Sequence, residues 1–154
     1  MQHRHPFKTY FTVTAIGTLL AITCLQAWAD NAGKAKPLAL RKIMQDMGKN
    51  MQVITDGISR EDWELVAKIA TLVADHPQPP LGEKMRILSV VGADASKFKG
   101  YDEKTHQAAQ AVGQAATRED GQAVISAFAK LQNSCLACHQ GFRKPFLEHF
   151  YDKR

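Results

Sequence analysis

The sequence predicts an all-α fold, an antiparallel four-helix bundle, and three observations predict it. Apolar residues recur at steps of three and four in four separate segments, the spacing that lines them up on one face of a helix. No segment competes with the alternating pattern of a half-buried strand. Two connections are short and one is long, which brings successive helices back antiparallel. A chain of 154 residues with 45% apolar content suffices for one domain and is short for two.

Residues 1–29 read as a cleaved leader and residues 30–154 as the domain. His3, Arg4, His5 and Lys8 form a basic head, an apolar run follows from about Phe11 to Leu25, and Ala27-Trp28-Ala29 supplies an A-x-A cleavage site before Asp30. The run falls short of the ~20 residues that span a bilayer and is broken by Thr12, Thr14, Thr18 and Thr23, so a secretory leader is favoured over an anchor. Lipoprotein-type cleavage at Cys24 is the weaker reading, because Ile22-Thr23 before it are poor matches to the small residues such sites use. Cleavage after Ala29 removes Cys24 and leaves Cys135 and Cys138, too few for a disulfide framework. It also removes Arg4 and Lys8, which lowers the formal charge of +5 by two. The remaining charges are dispersed, and nucleic-acid binding has no support.

The mature chain opens on a small polar lead-in, Asp30 to Lys36, and Pro37 suits the first turn of a helix. Leu40, Met44, Met47, Met51, Ile54 and Ile58 form a heptad seam that ends near Gly57. Ser59-Arg60-Glu61-Asp62 resembles a capping box opening the second helix, whose stripe is Trp63, Val66, Ile69, Ala70 and Val73. His76-Pro77-Gln78-Pro79-Pro80 is a loop. Within the crossover from Pro77 to Gly100, Glu83 to Val91 has room for one or two helical turns. The third helix is expected from Asp102 as N-cap to about Ala116, with a small-sided face of Ala108, Ala109, Ala111, Gly113, Ala115 and Ala116 that leaves space for something flat. Thr117 is the expected cap of the fourth helix, with Val124, Phe128, Leu131, Cys135, Cys138 and Phe142 as its seam and Pro145 kinking or shortening it.

Cys135-Leu136-Ala137-Cys138-His139 has the C-x-x-C-H spacing of c-type haem attachment. On a helix, residues three apart share a face, so both sulfurs can reach one porphyrin and His139 follows closely enough to ligate the iron. A thioredoxin-like pair would need a βαβ setting, and a zinc site would need a fourth ligand that no second Cys or His pair supplies. Covalent haem c is therefore the predicted cofactor, with a haem-free protein using Cys135, Cys138 and His139 for metal as the distant alternative.

From Cys135 to Arg143 the chain matches C-x-x-C-H-x-x-[FY]-R, and with the bundle it resembles the class II c-type cytochromes, the cytochrome c′ family. The resemblance covers essentially the whole mature chain. It implies that His139 is the proximal iron ligand and that Phe142 and Arg143 belong to the haem environment. It places the residue facing the iron from the other side at Met44, with Met47 as second candidate. A Met there implies low-spin His/Met iron and electron transfer, as in the cytochrome c-556 subgroup. A non-coordinating residue implies a five-coordinate cytochrome c′ that binds nitric oxide or other small gases. The expectation is a periplasmic electron carrier rather than an enzyme, working with redox partner proteins of unknown identity; whether it pairs into a homodimer is open. His76, His106 and His149 read as histidines without a chemical role. Lys144, Lys153 and Arg154 read as a solvated helix end.

Overall fold

The computed structural model describes residues 37–151; the expected leader, residues 1–29, the lead-in Asp30 to Lys36, and Lys153 and Arg154 lie outside them. Five α-helices follow: α1 Ala39–Ser59, α2 Trp63–Ala74, α3 Leu81–Val91, α4 Ala95–Thr117 and α5 Gly121–Phe150, with a short 3₁₀ turn Gly92–Asp94 between α3 and α4. The four longest form the bundle: α1 packs on α2, α2 on α4 and α4 on α5, whereas α1 and α5 touch sparingly. α3 is the crossover. Among the described residues no helix is long and apolar enough to cross a membrane.

Two corners are built from the same three residues. In Arg60-Glu61-Asp62 and again in Arg118-Glu119-Asp120, the Glu adopts a left-handed backbone (φ 56° and 55°). The following Asp donates its amide five residues back, Asp62 to Gly57 and Asp120 to Ala115. This Schellman-type closure satisfies carbonyls that the preceding helix leaves open. The same Asp then caps the next helix: Asp62 accepts from the Leu65 amide at 3.1 Å and Asp120 from Ala123 at 3.0 Å. The caps are thus Asp62 and Asp120 rather than Ser59 and Thr117, because Ser59 and Thr117 are still helical. The corners lie side by side, with the Trp63 ring 3.1 Å from where a Cβ on Gly121 would stand.

The crossover departs further from expectation. α3 runs for 11 residues, and α4 begins at Ala95, so Gly100 and Asp102 sit inside a helix. Each of the two glycines in this 23-residue helix, Gly100 and Gly113, costs about 1 kcal/mol, which tertiary packing offsets. Glu83 of α3 receives the amides of Ala39 and Leu40 at 2.7 and 2.8 Å. Leu38 at the α1 N-cap has no side-chain acceptor and the first turn of α1 has no acid, so a carboxylate from another helix closes that terminus. Pro145 does not shorten α5, which continues to Phe150. Both Pro145 and Gly141, whose carbonyl loses its donor, are exposed to water.

The core has two parts. An aliphatic cluster holds Ile54, Val66, Ala70, Val73, Ala109, Val112, Val124 and Leu131, all 0% exposed. A second, around Leu38, Ile87, Val91, Phe142 and Phe146, is rich in aromatic rings, with Phe98 edge-on to Phe142 at 5.1 Å. On α1 the buried strip runs through Ile43, Met47 and Ile54, so Ile43 holds the core position expected of Met44, which is 38% exposed. The small face of α4 is occupied by α2: Gly113 stands so close that a Cβ would lie 3.6 Å from that of Ala70. Small residues there serve close helix approach.

Candidate haem site

Cys135 and Cys138 lie on the inner seam of α5, between Leu131 and Phe142, both half-buried. The three-residue step places them where the core changes character: Cys135 packs against the aliphatic cluster and Cys138 against the aromatic one. Ser134, beside them, hydrogen-bonds Thr105 of α4 at 3.1 Å and the Leu131 carbonyl at 2.8 Å, which holds this turn of α5 to its neighbour. Burial raises the Cys135 thiol above its ordinary value. Burial also pushes Cys138 up to about 11, helped by the negative charge of Asp102. Both sulfurs are therefore protonated and weakly nucleophilic at neutral pH.

His139 follows on the exposed side. Burial of part of its ring, reinforced by the nearby Arg143 charge, lowers its pKa, so the imidazole is neutral with a lone pair available to a metal. Arg143 is exposed, while Phe142 is 8% exposed and fixed between Phe98 and Tyr101. On α1 the two candidate methionines part company. Met47 is 9% exposed in the aliphatic core, and Met44 presents its thioether outside it.

A family model for cytochrome C′ matches residues 38–143, a stretch that includes α1 and ends on the Arg143 of the haem motif. The chain belongs to the cytochrome c′ family. A cytochrome c′ of Pararhodospirillum photometricum is 35% identical over 81 residues, 52% of this chain and 65% of that protein, so the chain spans less than two thirds of that relative. Proteins of the family carry one covalent haem c, are generally non-enzymatic and are periplasmic. The residues present fit that group: two thiols kept protonated on one helix face, a neutral imidazole in the next position, and an apolar wall of Phe142, Phe98 and Tyr101 beside them.

A second constellation escaped the sequence. His76, just past α2, is buried, and its Nε2 lies 3.3 Å from Oδ1 of Asp102 on α4. His106, one turn along α4, places Nε2 3.5 Å from Oδ2 of the same carboxylate. The two imidazoles stack with centroids 4.6 Å apart and planes 15° from parallel. The Asp102 hydrogen bond raises the His76 pKa, with the Val73 carbonyl adding to it. Reciprocally, the His76 bond lowers that of Asp102. Of this group only the Asp102-x-x-x-His106 step on one helix face was visible in the sequence; a proline-flanked loop histidine carries no spacing signal. A surface groove of about 280 Å³ between α2 and α4, lined by Thr71, Ala109, Gly113 and Thr117 among others, includes no residue of the haem motif.

Proposed function

We propose that the protein is a periplasmic electron carrier of the six-coordinate, cytochrome c-556-like kind. In this reading Cys135 and Cys138 would hold haem c through two thioether bonds. His139 and Met44 would be the two protein ligands of its iron. Bound haem supplies a one-electron iron couple, and His/Met ligation keeps it low-spin with a raised potential. The observation that carries the reading is the contrast on α1: Met47 is committed to the core, whereas Met44 is 38% exposed on a helix that touches α5 only sparingly. Phe142 and its aromatic neighbours exclude water beside Cys138. Arg143 keeps positive charge near His139 and so favours the neutral imidazole. Export after Ala29 and docking with redox partner proteins complete the proposal, and no catalytic turnover is needed.

Optical spectra of the purified protein test it. Low-spin reduced bands indifferent to carbon monoxide are expected, and Met44→Ala is expected to make them high-spin and carbon-monoxide-sensitive. If Met47→Ala has that effect instead, the ligand lies one turn along. High-spin, carbon-monoxide-sensitive bands in the unaltered protein would replace this reading with a five-coordinate, gas-binding cytochrome c′.

A further inference from the structure

The His76–Asp102–His106 cluster brings two imidazoles onto one carboxylate, an arrangement that needs a proton or a cation at its centre. Each Nδ1 faces a backbone carbonyl, Val73 O at 3.0 Å for His76 and Ala74 O for His106. A carbonyl only accepts, so both Nδ1 atoms carry protons, and in the neutral imidazole both Nε2 atoms are lone pairs. Those lone pairs point at carboxylate oxygens 3.3 and 3.5 Å away. Lone pair against lone pair is repulsive unless a proton or a metal ion lies between: a proton on one ring relieves one of the two contacts, whereas a single ion held by all three groups relieves both.

We propose that His76, Asp102 and His106 form a binding site for a divalent transition ion, with zinc as the type case. The Nδ1–H to carbonyl bonds are the outer-shell support that orients metal-binding histidines and sets their tautomer. The donor set of two imidazoles and one carboxylate suits a borderline ion, not calcium or magnesium. One donor atom from each residue lies within 4.8 Å of the others, and each Nε2 stands 3.3 or 3.5 Å from its own carboxylate oxygen of Asp102, near the ~3.3 Å between ligands on a tetrahedral ion with ~2.0 Å bonds. Chelation turns one ring out of the parallel stack about χ2, a soft torsion, while the other keeps its Nδ1–H to carbonyl bond as outer-shell support. Asp102, at 40% side-chain exposure, opens the site to solvent, so a water can take the fourth position. The ion would tie the end of α2 to α4.

The test is calorimetric titration of zinc into chelator-stripped, haem-loaded protein. One zinc per chain is expected, weakened by more than about tenfold in both His106→Ala and Asp102→Asn, since losing even an outer-shell partner costs that much. His149→Ala, on an exposed stretch of α5, should leave binding unchanged. No saturable binding, or binding that survives both substitutions, overturns the proposal. Zinc-edge X-ray absorption of the unaltered protein decides it without variants. A shell of two imidazoles with oxygen supports the site, and sulfur or fewer imidazoles overturns it.

Discussion

Near the two Arg-Glu-Asp corners the bundle is closed by small aliphatic side chains, and Ile54, Val66, Val73, Val112, Val124 and Leu131 are all 0% exposed. Toward the crossover the core turns aromatic, and its best-buried members, Leu38, Ile87, Phe142 and Phe146, keep 3 to 8% exposure. Met44, Leu81, Met85 and Leu88, on α1 and α3, are exposed outright. Branched aliphatics on closely spaced helices interlock and exclude solvent from a short bundle segment. Rings on the long ends of α4 and α5 meet edge-on and cover surface without sealing it. Cys138 and Phe142 belong to the less sealed half, while His76, hydrogen-bonded to the Val73 carbonyl of the aliphatic cluster, and its partner Asp102 lie where the two halves meet.

The sharpest way to break that contrast is to hollow the corner half. Leu131→Ala should cost about 2–5 kcal/mol, because a fully buried Leu next to the haem motif leaves a cavity among rigid neighbours. Phe146→Leu, in the aromatic half, should cost less than about 1.5 kcal/mol, since its surroundings can close around it. Thermal midpoints of the haem-loaded proteins rank the two; equal losses would remove the distinction between the halves.

Glycines give a second comparison. A Cβ at Gly57 would stand 2.8 Å from Cγ2 of Val66, so Gly57→Ala should destabilise by about 1–3 kcal/mol. Gly141, on the exposed face of α5, has nothing within 4 Å, and Gly141→Ala should stabilise by about 0.5–1 kcal/mol. Opposite signs in denaturant midpoints are the expected result.

The helix ends differ more gently. Asp62→Ala and Asp120→Ala each remove a side-chain cap and should cost about 1 kcal/mol. Glu83→Gln keeps the shape of the α1 cap and removes its charge, for a loss of about 0.3–1 kcal/mol that shrinks with added salt.

The His76–Asp102 pair adds a pH signature where the two halves meet, best read with a chelator present. Asp102 is held below 3.8, so its contribution is present above that value and lost as pH falls through the lowered one. His76 is held above 6.5, so its contribution is complete below 6.5 and lost as pH rises through the raised value. Stability from the pair is therefore greatest between 3.8 and 6.5, and thermal midpoints of Asp102→Asn should lose this bulge.

What could be read from the sequence was whatever a helix writes into its own periodicity. The four bundle helices, the apolar seam of α5 through Cys135 and Cys138, the proline loop after α2 and the haem motif are all local, because a 3.6-residue period or a fixed spacing depends only on neighbours in the chain. The repeated Arg-Glu-Asp corners were equally local, but their left-handed Glu is a conformation that its side chain does not advertise. Tertiary structure alone decided the rest. Ile43 rather than Met44 lies in the core because α2 fixes the rotation of α1. α1 starts where it does because Glu83, more than forty residues away, supplies its missing acceptor. His76 meets His106 because a short α2 ends beside the middle of α4, and a contact across thirty residues is set by where helices stop and pack rather than by any spacing written along the chain.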